Sequence, residues 1–274
     1  MFVYVRVTGL CALLLCLFTT LPASGQAVTG DTKLPKATKP TPLPTPQKLD
    51  PKNLTAEQAA EVAIIAYGSR ERLNQIRKTT LETGTARYVD PEGKTDESKY
   101  QRFILRGDTL GKEKIRVDQE FPNARYALVY NDGSVLGVYN NAAFTPREDV
   151  AKAFQNQIVH GLEALLRYKE NGSTVTLVSR DKLMGVEYII LDVTDKDGLK
   201  TRFYVSAKTY RVMMLTYEDG GVQYRRKFYD YNYAQGTLVP YRTVLWAGDK
   251  QVEETEIGTV TFGQKVDDGL FNVG

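Results

Sequence analysis

The chain has 274 residues and a net charge of +3, with two cysteines and one histidine. Six basic and two acidic residues in the first 53 positions carry +4 of that charge, which leaves the rest at −1. A near-neutral domain lacks the basic stripe that nucleic-acid binding requires, so no nucleic-acid partner is expected. Both cysteines lie within the first 25 residues, which excludes disulfide and thiolate chemistry from the remainder.

Residues 1–25 have the pattern of a cleaved signal peptide. One charge, Arg6, precedes an apolar run over residues 7–21 that is short for a membrane span. The small residues Ala23 and Gly25 precede the expected cut before Gln26. An uncleaved inner-membrane anchor is the alternative. Export without disulfides is more typical of a bacterial envelope protein than of a small eukaryotic module, so a periplasmic location is expected.

Residues 26–53 form a proline-rich linker between the signal peptide and a single domain at 54–274. Alternating prolines at 40, 42, 44 and 46 favour a semi-rigid polyproline spacer that extends by about 3 Å per residue. The spacer is either a stalk that holds the domain away from a membrane or disordered chain without a further role.

The domain is predicted to begin with a helix at Thr55, because Thr55 and Gln58 form a capping-box pattern. Apolar residues then recur at helical spacing as far as Ile76. The step Gly68-Ser69 interrupts this run, which predicts two short helices or one kinked helix that ends near Lys78.

After this helical region the apolar period changes to two, which predicts strands at 79–90, 98–106, 112–121, 125–130 and 135–140. One amphipathic helix is predicted over residues 148–169. A second series of strands follows at 174–180, 186–194, 200–206, 210–218, 223–233, 237–246 and 252–262. Alternation in the segment 223–233 places Tyr229, Tyr231 and Tyr233 on one face. Short hairpin turns join the strands, so we expect one large, curved antiparallel sheet with packed helices.

No recognisable catalytic machinery is present in the sequence, so the protein is not expected to be an enzyme. The only histidine, His160, is interpreted as an ordinary residue on the flank of its helix. The chain contains no nucleophile elbow, phosphate-binding loop or dinucleotide fingerprint. A hydrolase that uses carboxylates alone stays open as a weaker alternative, because two strands could contribute a pair.

Metal sites and cofactors are not expected either. Strand alternation sends Glu253 to the face opposite Glu254 and Glu256, which separates the most acidic run of the chain. The segment 195–198 resembles part of a calcium loop, but it lacks the remaining ligands and is predicted to be a hairpin turn. The basic run at 225–227 is either a contact for lipid head groups or a solvated strand face.

Two segments resemble the divergent outer-membrane lipoprotein-sorting proteins. The first is Ala66-Tyr67-Gly68-Ser69-Arg70-Glu71-Arg72-Leu73-Asn74-Gln75-Ile76, followed by Leu81 and Gly84 on the first strand. The second is the ending Asp268-Gly269-Leu270-Phe271, which is similar to a D-x-L-F ending in that family. The order of helices and strands also matches, over roughly residues 55–271. The resemblance implies a LolA/LolB-like half-barrel, an α+β fold in which a strongly curved antiparallel sheet surrounds a hydrophobic cavity and helices pack on its concave face as a lid.

On this resemblance the protein is expected to be a periplasmic, non-catalytic carrier or sensor of a lipid or lipoprotein acyl moiety. It would act as a monomer, and envelope proteins could donate or accept the cargo. The residues expected to line or close the cavity are Ile64, Ile65, Leu73, Phe154, Ile158 and Leu162. Plain core packing is the alternative for each of them. A structural or protein-interaction module of the envelope, with its core filled by its own side chains, is the alternative function.

Overall fold

The computed structural model describes residues 53–90 and 92–273. The predicted signal peptide at 1–25 and all of the predicted linker except Asn53 lie outside the described residues. The helices are α1 (Ala56–Tyr67), α2 (Arg70–Ile76), α3 (Glu148–Val159) and α4 (Leu162–Leu166). Two short 3₁₀ helices cover Leu110–Lys112 and Asp268–Phe271. Within the described part of the chain, no helix has the length and apolar character needed to cross a membrane.

The strands follow the two predicted series closely, with one addition. They are β1 (Thr79–Val89), β2 (Thr95–Leu105), β3 (Lys114–Phe121), β4 (Ala124–Asn131), β5 (Ser134–Tyr139), β6 (Ala142–Phe144), β7 (Thr174–Leu183), β8 (Val186–Thr194), β9 (Lys200–Ser206), β10 (Val212–Asp219), β11 (Val222–Ala234), β12 (Thr237–Ala247) and β13 (Lys250–Phe262). The addition is β6, a strand of three residues that lacks enough alternation to be recognised in the sequence.

All thirteen strands form one antiparallel sheet in the order β6-β5-β4-β3-β2-β1-β13-β12-β11-β10-β9-β8-β7. Every neighbouring pair except one is a hairpin of consecutive strands; the exception pairs β1 with β13 in the middle of the sheet. The sheet stays open, with β6 and β7 at its edges. The helices pack on one face, called the inner face below. This architecture confirms the predicted α+β half-barrel.

The first two helices form as the sequence predicts. The Thr55 hydroxyl accepts a hydrogen bond from the Gln58 amide at 3.2 Å, and Gln58 Oε1 accepts one from the Thr55 amide at 2.9 Å. Gly68 ends α1 with a φ of 130°, a conformation that glycine adopts without the steric cost of a Cβ. The chain therefore breaks at the predicted Gly68-Ser69 step, and α2 starts at Arg70.

The single helix predicted over residues 148–169 is wrong, because the chain leaves the helical conformation between α3 and α4. His160 ends α3, and Gly161 is extended, with φ −80° and ψ 175°. The His160 side chain is buried, where its Nδ1 lies 2.7 Å from the Thr201 hydroxyl and its ring stacks on Tyr217. These tertiary contacts, next to a glycine that stabilises a helix poorly, override the apolar periodicity.

The main core lies between the helices and the inner face of the sheet. Its fully buried members include Ile64, Tyr67, Leu165, Phe203 and Leu215. Tyr67 also fixes α1 to the sheet by polar contacts, because its hydroxyl accepts from the Val212 amide and lies 3.0 Å from the Tyr231 hydroxyl. A buried tyrosine needs such partners to offset the loss of water.

A buried ion cluster holds α4 against the sheet. Glu163 of α4 accepts hydrogen bonds from Arg77 at 3.0 Å and from Arg106 at 2.8 Å. Burial opposes the ionisation of Glu163, but Arg106, Arg77 and Arg167 together keep its pKa below the usual value. Arg167 in turn pairs with the buried Glu113. Each of the five charges has at least one partner of opposite sign within the cluster, which lowers the cost of burying them.

Candidate functional site

An apolar hollow lies between α3 and one end of the inner face and has a volume of about 460 Å³. Four residues of α3 form one wall: Val150, Ala153, Phe154 and Gln157. The sheet forms the other, with apolar or aromatic members on β1, β3, β4, β12 and β13: Tyr88, Phe121, Tyr126, Leu128, Leu245 and Val252. We call this space the cavity. Its size and apolar walls are typical of small-molecule sites.

Three aromatic rings form a continuous surface on the sheet side of the cavity. Phe121 stacks on Tyr126 with ring centroids 5.7 Å apart, and Tyr88 lies 6.2 Å from Phe121 on the other side. The Gln119 side-chain amide donates to the Tyr88 hydroxyl at 2.6 Å. Burial, and then the charge of Glu253, raise the pKa of Tyr88 above its usual value, so the phenol stays neutral. The surface is therefore uncharged.

A buried carboxylate in the cavity wall is neutralised. Glu253 is 7% exposed, and it accepts hydrogen bonds from Gln157 at 2.8 Å and from Arg226 at 3.1 Å. Glu254 lies on the outer face, where it pairs with Arg242. The predicted separation of these two glutamates is confirmed. Because Arg226 balances Glu253, the inner part of the cavity carries no net charge.

The basic run 225–227 is divided between the two faces of β11. Arg226 points inward to Glu253, whereas Arg225 and Lys227 lie over the Trp246 ring, at 5.2 Å and 5.4 Å from its centroid. The predicted patch of three cations is therefore a pair of cations on an outer-face tryptophan, plus one buried ion pair.

A smaller hollow of about 250 Å³ lies around His160, but its geometry does not provide a nucleophile. The hydroxyl beside His160 belongs to Thr201, which is only 3% exposed and thus out of reach of a substrate. Burial lowers the pKa of His160 to about 4, so the ring is neutral at neutral pH. No group of three metal-ligating side chains occurs in the part of the chain that the structure describes.

Comparison with solved structures identifies the architecture. A DUF1329 family protein from Desulfovibrio piger is similar with a TM-score of 0.59 and 11% identity, over 80% of this chain and 98% of that one. A LolA superfamily protein from Nitrosomonas europaea is similar with a TM-score of 0.57 and 14% identity, over 80% and 98% of the two chains. The fold is LolA-like.

A third structure supports the same assignment. It is a putative outer membrane lipoprotein-sorting protein domain from Vibrio parahaemolyticus, with a TM-score of 0.52, 12% identity and coverage of 78% of this chain and 97% of that one. The predicted resemblance is thus confirmed as a likeness of fold. No family model matches the sequence, and no curated protein is significantly similar to it.

The residues that the sequence assigned to the cavity of this LolA-like fold occupy three different environments in the structure. Phe154 lines the cavity. Ile64, Leu73 and Ile158 are buried in the core, and Leu162 is half-buried against it. Ile65 is 64% exposed, which contradicts its assignment. Adjacent residues of a helix point about 100° apart, so Ile64 and Ile65 do not share the face of α1 that meets the sheet.

Most of the cavity wall comes from strand residues that the sequence did not single out. Tyr88, Phe121 and Leu245 are far apart in the chain, and strand alternation indicates only which face each one occupies. A pattern that could have identified the aromatic wall residues is the occurrence of inward-facing aromatic side chains at the ends of neighbouring strands. Using it would have required the pairing of β1 with β13, which brings these ends together.

Proposed function

We propose that the protein is a non-catalytic carrier or sensor in the bacterial periplasm that binds lipid or lipoprotein acyl chains in the cavity. The observation that supports this function is an apolar hollow of about 460 Å³ beneath α3 in which the buried Glu253 is compensated by Arg226. Transfer of an acyl chain out of water requires an apolar surface and no reactive group. The three structures of similar fold include one described as a lipoprotein-sorting domain, which is consistent with the proposal.

The periplasmic location rests on the signal-peptide pattern at 1–25. A carrier in that compartment receives its cargo from one envelope component and delivers it to another, so donor and acceptor proteins are the proposed partners. The protein is proposed to act as a monomer, since one chain supplies both the helix wall and the sheet wall of the cavity.

Two measurements on the purified protein test this function. Mass spectrometry of its organic extract should detect an acyl lipid near one molecule per chain, and titration with a fluorescent fatty acid should saturate at the same ratio. Ala153→Trp should lower this uptake at least tenfold, because an exposed alanine on the cavity wall becomes a ring that occupies the space. Glu148→Trp is the control, since it adds the same ring to α3 outside the cavity.

A clean extract together with no fatty-acid uptake by the unmodified protein would reject the carrier function. The protein would then be the structural or interaction module that the sequence leaves as the alternative. Equal loss of uptake in Ala153→Trp and Glu148→Trp would show that the probe does not bind in the cavity.

A further inference from the structure

A second hollow, of about 500 Å³, adjoins the cavity. It lies between the β1–β2 turn and the β12–β13 hairpin, and it shares Ala247 and Val252 with the cavity. We call it the vestibule. Its wall contains the charged residues Asp90, Glu92 and Lys250. The two carboxylates of the cavity wall, Glu253 and Asp96, are instead paired with Arg226 and Lys94. An apolar hollow beside one with charged walls matches the apolar chain and the polar head group of an amphiphile.

The volume of the cavity limits the number of acyl chains. A methylene group occupies about the space of one molecule of liquid water, about 30 Å³. The cavity of about 460 Å³ therefore holds one chain of roughly fifteen methylene groups. Three such chains, as in a triacylated lipoprotein, need about three times that volume. Phe154, buried on the wall, restricts the space on the helix side.

The charges of the vestibule indicate the polar group. Asp90, Glu92 and Lys250 form no ion pair with any residue that the structure describes, whereas the neighbouring Lys94 pairs with Asp96 at 3.7 Å. Two carboxylates without a cationic partner favour an ammonium group and disfavour an anion, and one ammonium without an anionic partner is available for a phosphate. A head group that carries both an ammonium and a phosphate satisfies all three side chains.

We propose that the ligand is a single-chain zwitterionic amphiphile of the lysophosphatidylethanolamine class, with its chain in the cavity and its head group in the vestibule. This inference rests on the proposed function and specifies its cargo. It excludes the triacylated end of a lipoprotein and disfavours lysophosphatidylglycerol, whose head group is anionic.

Competition for the cavity tests the proposal. The full mature chain is loaded with a dansyl-labelled fatty acid, and four competitors are added below their micelle-forming concentrations: lysophosphatidylethanolamine, lysophosphatidylglycerol, a diacyl phosphatidylethanolamine and a tripalmitoylated lipopeptide. Lysophosphatidylethanolamine should displace the probe near one equivalent. Lysophosphatidylglycerol should need about tenfold more, and the two multi-chain lipids should leave the probe bound.

Head-group recognition is tested with charge variants of the vestibule. The assay gives the ratio of the concentrations at which the two lysolipids displace the probe. The double variant Asp90→Asn/Glu92→Gln should reduce this ratio about fivefold, which is the size of effect expected for exposed charge pairs. Asparagine at position 90 retains a side-chain oxygen that can accept the turn hydrogen bond from the Lys94 amide. Glu187→Gln, which removes an exposed charge on β8 that lines neither hollow, is the matched control and should leave the ratio unchanged.

The outcomes separate this inference from the function on which it rests. Displacement by the lipopeptide as efficient as by the lysolipids would overturn the single-chain cargo and leave the carrier function intact. Equal displacement by both lysolipids, unaffected by the double variant, would overturn the zwitterionic head group. Failure of the dansyl probe and of every lipid to bind would reject the carrier function itself.

Discussion

Burial keeps His160 neutral, because its ring stacks on Tyr217 at a centroid distance of 4.1 Å and its Nδ1 shares a hydrogen bond with Thr201. The pKa of His160 is lowered to about 4 by this burial, although Asp195 and Asp219 act in the opposite direction. A histidine in the unfolded chain has a pKa near 6.5. The unfolded chain therefore takes up the proton first as the pH falls.

We expect the contribution of His160 to stability to be complete above about pH 6.5 and to be lost progressively as the pH falls to about 4. The lowering of the His160 pKa corresponds to a decrease of about 3 kcal/mol in the free energy of unfolding between these two pH values. His160→Phe keeps a ring for Tyr217 but cannot take up a proton, so its free energy of unfolding should fall less between pH 7 and pH 4. Urea unfolding of both proteins at several pH values measures the difference. Parallel pH profiles would contradict the expectation.

In β11, the alternation of side chains in the sequence does not predict correctly which face each tyrosine occupies. The sequence predicts Tyr229 and Tyr231 on one face of β11, but Tyr229 contacts Arg242 and Tyr231 reaches Tyr67 of α1. Between them, Asp230 has a φ of 52°, which interrupts the regular alternation of the strand. A left-handed aspartate is uncommon and has no reliable sequence signal, so this change of face could not be predicted.

The first strand bends where it crosses the last one. The register between β1 and β13 shifts at Thr83/Gly84, which is a β-bulge that curves the sheet. A Cβ at Gly84 would lie 2.1 Å from the Glu256 carbonyl oxygen and 2.9 Å from the Tyr100 ring. Only glycine allows the two strands to approach this closely. This is the physical reason for the glycine on the first strand in the motif noted above.

Gly84→Ala should therefore destabilise the protein by about 2 kcal/mol or more, because backbone as well as a side chain must move. Gly258→Ala is the matched control on the opposite side of the same bulge. Its Cβ would be 3.5 Å from the nearest atom, so we expect a change within about 0.5 kcal/mol. Thermal and urea unfolding measure both. Similar losses in the two variants would show that the close approach at Gly84 does not matter.

Helices and strands were predicted correctly where a local sequence pattern, such as a capping box or a turn, defines their ends. The capping box at Thr55 and the Gly68-Ser69 break define α1, and turn residues separate nearly every pair of strands. The break between α3 and α4 was missed, because it depends on the contacts of His160 with two distant strands. The strand β6 was missed because it is only three residues long.

The C-terminal 3₁₀ helix closes the domain over β3 and β4. Phe271 is 1% exposed, the Leu270 carbonyl accepts from Arg116 at 3.0 Å, and Asp268 pairs with Lys114 at 2.7 Å. The motif that resembles the D-x-L-F ending of the lipoprotein-sorting proteins therefore has a structural role. It fixes the end of the chain to the first half of the sheet.

Phe271→Ala should cost about 3–5 kcal/mol in the free energy of unfolding, because it removes a fully buried ring and leaves a cavity. Asn272→Ala, at the exposed neighbour, should change stability by less than about 0.5 kcal/mol. Urea denaturation of both variants at neutral pH is the measurement. A small loss in Phe271→Ala would mean that the C-terminal turn contributes little to the domain.

The half-barrel and its helical lid were predictable, but the location of the cavity was not. Hairpin turns identify neighbouring strands only when these are consecutive, and the contact between β1 and β13 joins residues about 180 positions apart. Tyr88 on β1 and Val252 on β13 meet in the cavity wall because of that contact. The apolar stripes of the helices were visible in the sequence, whereas most of the binding surface belongs to the sheet.

The same pairing sets the order in which the molecule can be assembled. Strands β1 to β6 and β7 to β13 each fold back on themselves through short turns, so two separate meanders can form early. They become one sheet only when β13, near the end of the chain, reaches β1, near its beginning. Until then β1 presents an unpaired edge, and β13 of another copy can occupy it when partly folded chains are concentrated. During synthesis, joining the two meanders is therefore the late and concentration-sensitive step.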